Sequence, residues 1–522
     1  MKKLPIGTQA FEVLRKEGNI YVDKTEHIYN LIDTGRVYFL SRPRRFGKSL
    51  LISTFKELFK GNKEIFEGLY IYDKWDWSKT NPVIHLDFTE IQYASVEQLE
   101  ISLDRFLNDM AKRENIRLEE SETRLIGVKF AELIDKLHEK SGEQVVILID
   151  EYDKPLIDNL NKEEIYSEVK RTLHDFYQVI KASDEHLRFV FLTGVSQFSG
   201  LSIFSGLNNL NDITMDLRYG TICGYTQEEL ENSFKEYVGS ASEVMGMPRE
   251  GVLSAIKRWY NGYSWDGKTF VYNPFSTLMF FDKREFGNHW FKTGTPTFLI
   301  EQIKKKNDLE SFAQSREVGM SSLRGDGSDK IETTALLFQT GYLTVKKKEI
   351  IDDEPQYTID FPNYEVKSSF LSSLMKEYAI KDLEEIKEIN KGIAKGLKEK
   401  DEKKLERSLT ELFANISYRL ITERESYYHS LFLLAGKMSG YEVESEVHTD
   451  KGRIDAVLKK GREVIVVEIK YGKGSKIEEL LKEGMEQIKE KKYYEKYGDR
   501  EVSLLAVAFG KDKEIGCKFE HK

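Results

Sequence analysis

Tyr38-Phe39-Leu40-Ser41-Arg42-Pro43-Arg44-Arg45-Phe46-Gly47-Lys48-Ser49-Leu50 is the stretch from which the rest of the chain is read. An apolar run from Val37 to Leu40 enters a short basic loop closing on Gly47-Lys48-Ser49. An amphipathic helix then follows through Leu50, Leu51, Phe55, Leu58 and Phe59. Strand, loop and helix in this order suit a phosphate-binding loop, because N–H groups at the helix N-terminus converge on the anion. Lys48 would neutralise the β- and γ-phosphates, and the Ser49 hydroxyl would hold Mg²⁺. The usual Gly-x4-Gly-Lys-Ser/Thr pattern has glycine where this chain has Arg42, followed by Pro43, so the loop has a different entry. An ordinary basic loop before a helix is the competing reading at this point.

The chain has 522 residues, enough for two to four domains. Its formal net charge of −9 argues against a uniformly basic nucleic-acid coat but leaves room for a local basic groove. Cys223 and Cys517 are the only cysteines; they have no metal-ligand spacing and form no disulfide framework. No segment approaches the length of an apolar membrane span, and the expectation is a cytoplasmic protein without a membrane partner.

Upstream of the loop, Val22-Asp23-Lys24-Thr25 opens a helix. Asp23 and Thr25 suit helix capping, and a place against a nucleotide base is the alternative. Downstream, Pro82 to Phe88 is expected to be a buried strand and Ser95 to Leu137 helical. Gln144 to Ile149 is an apolar strand delivering Asp150-Glu151-Tyr152-Asp153. In an NTPase, Asp150 would hold Mg²⁺ through water and Glu151 would polarise the attacking water; a buried strand ending in a solvated acidic turn is the bland alternative. A third strand, Leu187 to Leu192, ends in Thr193-Gly194-Val195-Ser196. It is expected between the phosphate-loop strand and the acidic strand. Thr193 or Ser196 would then face the γ-phosphate and signal to the loop from 198 to 213, unless they serve as a cap or turn.

Arg42 to Ser49, together with Val22 to Thr25, Leu148 to Asp153, Thr193 to Ser196 and Phe204-Ser205-Gly206-Leu207-Asn208-Asn209, resembles the bacterial AAA-ATPase-like family. Its members look like AAA+ ATPases fused to a C-terminal PD-(D/E)XK nuclease-like domain. The resemblance covers nearly the whole chain and makes Arg42 typical of the loop. It implies an α/β multidomain protein with an AAA+ core of the P-loop, ASCE type over 1–230, and a helical lid over 231–330. A winged-helix-like and helical linker would occupy 331–420 and a nuclease-like domain 421–522. It also implies ATP bound by Arg45, Phe46, Gly47, Lys48, Ser49, Leu50, Asp150 and Thr193.

Aromatic motifs at Trp259 to Tyr263, Val271 to Ser276 and Trp290 to Pro296 belong by analogy to the lid. From Ile331 to Met375 the order helix, strand, polar hairpin, helix is compatible with a winged helix. The hairpin tip carries both charge signs, which favours intramolecular packing over DNA reading. Leu383, Ile386, Ile389, Ile393 and Leu397, then Leu405, Leu409, Leu412 and Phe413, mark two amphipathic helices.

The last hundred residues follow the order helix, three strands, helix, strand. Asp455 lies on one strand, and Glu468 and Lys470 share a face of the next because strand side chains alternate. Two such carboxylates can hold Mg²⁺ or Mn²⁺. Lys470 would position water or stabilise charge, Glu425 could complete the metal shell, and Gln487 could orient a ligand. The competing reading is a Glu468–Lys470 pair at an open sheet edge. The expected catalytic set is Glu151, Asp455, Glu468 and Lys470; the expected metal set is Ser49, Asp150, Glu425, Asp455 and Glu468. The leading expectation is an ATP-dependent enzyme acting on nucleic acid. Its rivals are an ATP-driven switch with a non-cleaving C-terminal module, and a winged-helix regulator. Homo-oligomer formation stays open, with Arg44, Arg45 and Arg188 as candidate arginine fingers.

Overall fold

The computed structural model describes residues 1–119, 125–197, 202–204, 206–207, 209–293, 299–300, 303, 312–325, 332–379, 381–414, 425–449, 452–472, 474–510 and 514–522. The chain divides into two compact units, Met1–Thr293 with Val318–Tyr364, and Gly294–Glu317 with Glu365–Lys522. The hairpin region returns to the first unit, and the paired amphipathic helices belong to the second.

The first unit is built on strands β1 (Val37–Ser41), β2 (Val83–Asp87), β3 (Val145–Asp150), β4 (Leu187–Gly194) and β5 (Asn211–Asp212). They form one parallel sheet in the order β2-β3-β4-β1-β5. β4 therefore lies between the phosphate-loop strand and the acidic strand, as expected. Every residue of β1 and β3 is buried, which is why both read as unbroken apolar runs: helices cover both faces of a parallel sheet. On one face α1 (Lys48–Phe59) stacks Phe55 and Phe59 on Phe189 and Phe191. On the other, α2 (Val96–Arg113), α3 (Ile126–Ser141) and α4 (Glu163–Ala182) pack Leu103, Leu133 and Leu173 into one core with Ile147 and Ile149. The helical pattern predicted from Ser95 to Leu137 is thus two helices, the first capped by Ser95, whose hydroxyl accepts from Gln98 N–H.

Helices Gln227–Ser233, Lys235–Met245, Arg249–Tyr260 and α5 (Pro274–Lys283) close a second core of Leu230, Phe234, Val252, Ile256 and Phe281, joined by Ile20 and Val22. Strands β6 (Thr344–Ile351) and β7 (Glu354–Asp360) make the hairpin, with Asp352 and Asp353 both at positive φ in the turn. Its base is bound intramolecularly: Ser264 N–H donates to Thr344 Oγ1, 2.7 Å, and that hydroxyl donates back to Ser264 O, 3.0 Å.

In the second unit, helices Leu383–Glu399 and Glu402–Phe413 bury Ile386, Ile389, Ile393 and Leu397, then Leu405, Leu409, Leu412 and Phe413, as their spacing marks, whereas Leu383 at the first helical position is exposed. They pack so closely that a Cβ on Gly396 would lie 3.0 Å from the Leu405 backbone. Helix α6 (Glu425–Met438) precedes strands β8 (Glu442–Thr449), β9 (Gly452–Lys460) and β10 (Glu463–Tyr471); α7 (Ile477–Glu490) crosses to β11 (Glu501–Phe509), and β12 (Ile515–His521) follows. The sheet order is β12-β11-β10-β9-β8, antiparallel except for β10 with β11, the pair that α7 connects. Among the described residues no helix is long and apolar enough to cross a membrane.

Candidate active sites

Parallel strands end together, so the C-terminal ends of β1 and β3 carry the loop Arg42–Gly47 and the acids Asp150 and Glu151 to one place. Gly47, at φ 94, begins α1 in a left-handed turn that suits glycine. Lys48 is 3% exposed; its Nζ lies 3.3 Å from Glu151 Oε1 and 3.4 Å from Pro43 O. Ser49 lies beside the Asp150 carboxylate, which is 1% exposed. Burial, then the charge of Glu151, push the Asp150 carboxyl up to about 7, against the pull of Ser49 and Lys48. Arg45, Phe46, Gly47, Lys48, Ser49, Leu50 and Glu151 all line one cavity of about 390 Å³. Tyr21, Val22, Lys24, Tyr225 and Phe275 also line it. Asp23 precedes the helix Thr25–Thr34, accepting from the Thr25 N–H at 2.8 Å and its hydroxyl at 2.7 Å, and it also accepts from the Tyr70 N–H at 2.7 Å.

Arg42 explains the missing first glycine. It is fully buried, with its guanidinium 3.7 Å over Trp265. It donates to the carbonyls of Ser41, Thr214 and Tyr219 at 2.8, 3.0 and 3.0 Å. Burial draws its pKa down to about 10, still charged at neutrality. Arg42→Met is expected to destabilise the first unit by about 3 kcal/mol, since three carbonyls lose their donor at about 1 kcal/mol each. A shift in denaturant unfolding well under that sum would mean that the carbonyls find other partners.

Thr193 is a correction. Its side chain is buried and donates to Leu40 O at 2.8 Å, a rung between β4 and β1, and it does not line the cavity. Ser196 is also turned inward, bound through its N–H and hydroxyl to Asp153, which takes the Val195 N–H as well. Burial, then the charge of Glu151, push Asp153 up to about 6. Beyond it, Gln197 N–H donates to Gln339 Oε1, 2.8 Å, and Gln339 Nε2 to the carbonyls of Leu323 and Arg324. Residues 198–201, Ser205 and Asn208 of the expected signalling loop lie outside the described residues. Asp87, at the end of β2, and Thr89 line the cavity and were not anticipated. The signal was present, since β2, like β3, is an apolar strand ending in an acid.

The second centre sits where β9 and β10 diverge. Their ladder runs from Lys460 paired with Glu463 to Ala456 paired with Val467, one step short of Asp455 and Glu468. Asp455 Oδ2 accepts from Ile469 N–H at 2.8 Å. Glu468 is 1% exposed; its Oε1 lies 3.3 Å from Lys470 Nζ, and that ammonium donates to Gln487 Oε1 at 2.6 Å. Burial, then the charge of Asp455, push the Glu468 carboxyl up to about 7. Its Oε2 is buried without a hydrogen-bond partner. These facts exclude an exposed ion pair at a sheet edge. Gly484 on α7 lets the helix lie close, for a Cβ there would be 3.4 Å from Lys470 Cγ and 3.8 Å from Glu468 Cγ. His429 on α6, which went unmarked in the sequence, contacts Asp455 O through Nε2 at 2.8 Å, so that nitrogen carries the proton. Glu425 begins α6, and its side chain lies outside the described residues.

Among the described residues no three Asp, Glu, His or Cys side chains form a metal-holding cluster. Each centre instead offers a small oxygen set, Ser49 with Asp150 and Asp455 with Glu468. This fits Mg²⁺, which keeps several waters and takes one or two carboxylates plus substrate phosphates. The orphaned Glu468 Oε2 and the two raised carboxyls are groups that a divalent ion would satisfy.

Strand order and side-chain placement define a chain that joins a P-loop-like α/β unit to a PD-(D/E)XK-like α/β unit. The family model described as a predicted AAA-ATPase matches residues 5–204, and that of the PD-(D/E)XK nuclease superfamily matches 423–519. An uncharacterized protein in the vnfD 5' region of Azotobacter chroococcum mcd 1 is 39% identical over 521 residues, covering 98% of this chain and 97% of its own. No solved structure matches. The chain belongs to this family of AAA-ATPase-like proteins with a C-terminal PD-(D/E)XK nuclease-superfamily domain.

Proposed function

We propose that this protein binds and hydrolyses ATP in its first unit and cleaves nucleic-acid phosphodiesters, with Mg²⁺ or Mn²⁺, in its second. The observation that carries the reading is a matched pair: two carboxyls, Asp150 and Glu468, each buried beside a lysine and each raised to about 7. Buried acids in such settings mark sites that work on charge.

In the first unit, Lys48 and the N–H groups at the start of α1 hold the phosphates. Ser49 and Asp150 would hold Mg²⁺, and Glu151 orients and polarises the attacking water. The helices between 227 and 283 act as the lid, and Phe275 and Tyr225, which line the cavity, would take the base. In the second unit, Asp455 and Glu468 would hold the metal, which when bound would supply Lewis-acid polarisation of the phosphodiester and a more acidic water. Lys470, kept in place by Gln487, orients that water and neutralises charge on the phosphorus-bound oxygens. The net charge of −9 calls for a local grip on nucleic acid near this centre, not a broad basic face.

The test is incubation with single- and double-stranded DNA and RNA, with and without ATP, in Mg²⁺ or Mn²⁺, comparing wild type with Asp455→Ala. Metal-dependent cleavage lost in the variant is expected. Cleavage surviving Asp455→Ala would remove the second centre from the reaction, and binding without cleavage would reduce the second unit to a recognition module.

A further inference from the structure

The structure separates three arginines that the sequence leaves equivalent. Arg188 is the second residue of β4, at the strand end opposite the phosphate loop, where it shares a surface hollow with Arg36, Lys74 and Trp75. Arg44 also borders the phosphate-loop cavity, but it is half-buried and engaged within the fold, 5.3 Å over Trp290 and 3.4 Å from the Tyr342 hydroxyl. Arg45 is exposed and lines the same cavity as Gly47, Lys48, Ser49 and Glu151. Its guanidinium lies 5.3 Å over the Phe275 ring. Lys48 shares its charge with Glu151 and Lys24 with Glu229, whereas among the described residues no carboxylate is paired with Arg45.

Backbone conformation is the second observation. Arg45 has φ 66, and Glu151, lining the same cavity, has φ 52. A left-handed conformation costs a residue with a Cβ about 1 kcal/mol, and such strain persists where the surroundings impose it. Glycine would meet the backbone requirement at Arg45 without that strain, so what the loop retains there is the guanidinium.

We propose that Arg45 supplies, in cis, the positive charge that ATP requires as its terminal phosphoryl group departs, serving the same loop as Lys48 and not a neighbouring subunit. This rests on the ATPase reading above. In the step, the water oxygen bonds to the γ-phosphorus while the bond from that phosphorus to the β,γ-bridging oxygen breaks. The bond's electron pair stays on the bridging oxygen of ADP, and a proton from the water passes to Glu151. Arg45 neutralises the charge growing on the bridging oxygen. Phe275 gives the guanidinium an apolar platform beside the cavity.

Arg45→Gly keeps the backbone and removes the charge; Arg45→Lys keeps a charge. Arg45→Gly is expected to lower kcat about 10²-fold with KM for ATP within about threefold of wild type, and Arg45→Lys to recover part of the loss. An equimolar mixture of Arg45→Gly with Lys48→Ala should give no more turnover than the two separately. Trapping of ADP with aluminium fluoride should fall in Arg45→Gly while ADP binding holds. Arg45→Gly as active as wild type, and trapping equally well, overturns the proposal; recovery in the mixture overturns its cis character. Wild type that traps ADP–aluminium fluoride without turnover fails the hydrolysis reading, and loss of that trapping in Arg45→Gly still upholds Arg45. Wild type that does neither refutes both.

Discussion

Glutamine in place of Glu468 is expected to stop metal-dependent cleavage, by about 10³-fold or more, yet to leave the second unit more stable at alkaline pH. The carboxyl sits at about 7 in the fold against 4.5 ordinarily, because burial and the neighbouring Asp455 disfavour its charge. A carboxyl whose folded pKa is raised contributes stability that is complete below its unfolded pKa and lost as pH climbs through the folded one. Near pH 8 the ionised side chain therefore costs on the order of 3 kcal/mol relative to a neutral isostere, from 1.36 kcal/mol per pKa unit. Glutamine carries no such term, and Lys470 retains Gln487 as a partner. Metal binding needs the deprotonated carboxylate, so Mn²⁺ affinity in wild type should rise as pH passes through about 7 and level off above it. Calorimetric Mn²⁺ titrations and unfolding at pH 5.5 and 8 check both halves. Wild-type Mn²⁺ affinity retained in Glu468→Gln would take this carboxylate out of the metal shell.

Local chemistry was legible in the sequence, and long-range chemistry was not. Gly47-Lys48-Ser49 announces itself because a phosphate loop is made by consecutive residues, and Glu468 with Lys470 because strand alternation puts both on one face. The conjunction of Asp455 with them follows from a hairpin, the shortest non-local contact. The placement of Thr193 has no local signal, because its partner, Leu40, belongs to a strand about 150 residues away, and only the register of β1 with β4 turns the hydroxyl into the sheet. Arg42 departs from the usual glycine because it serves three carbonyls, two of them on Thr214 and Tyr219, which no local pattern connects to it. Asp153 read as one more acid in a turn, but it holds the end of β4 through three donors and never reaches solvent. The return of 318–364 to the first unit is likewise a tertiary fact, since the pairing of Thr344 with Ser264 leaves no local signal.

Lys48→Ala is the change expected to do most damage at the other centre, and comparison with Asp150→Asn shows why. Lys48 is nearly enclosed and stands between the phosphate site and two acids. Removing it should weaken ATP binding at least about 10²-fold with or without metal, because the interaction lost is with the phosphates themselves. It also leaves Glu151 and the buried Asp150 without their nearest cation, at an expected cost of about 2 kcal/mol in stability. Asp150→Asn differs in sign. Asp150 is raised to about 7 from 3.8, so wild type loses stability as pH climbs through about 7, and the asparagine variant does not. Its stability relative to wild type should therefore improve from pH 5 to pH 8, while ATP binding loses only its Mg²⁺-dependent part. Fluorescent-nucleotide titrations with Mg²⁺ or with EDTA, paired with unfolding at the two pH values, distinguish the variants. If Lys48→Ala lost only the Mg²⁺-dependent part of ATP binding, Lys48 would be acting on the metal-side acids and not on phosphate.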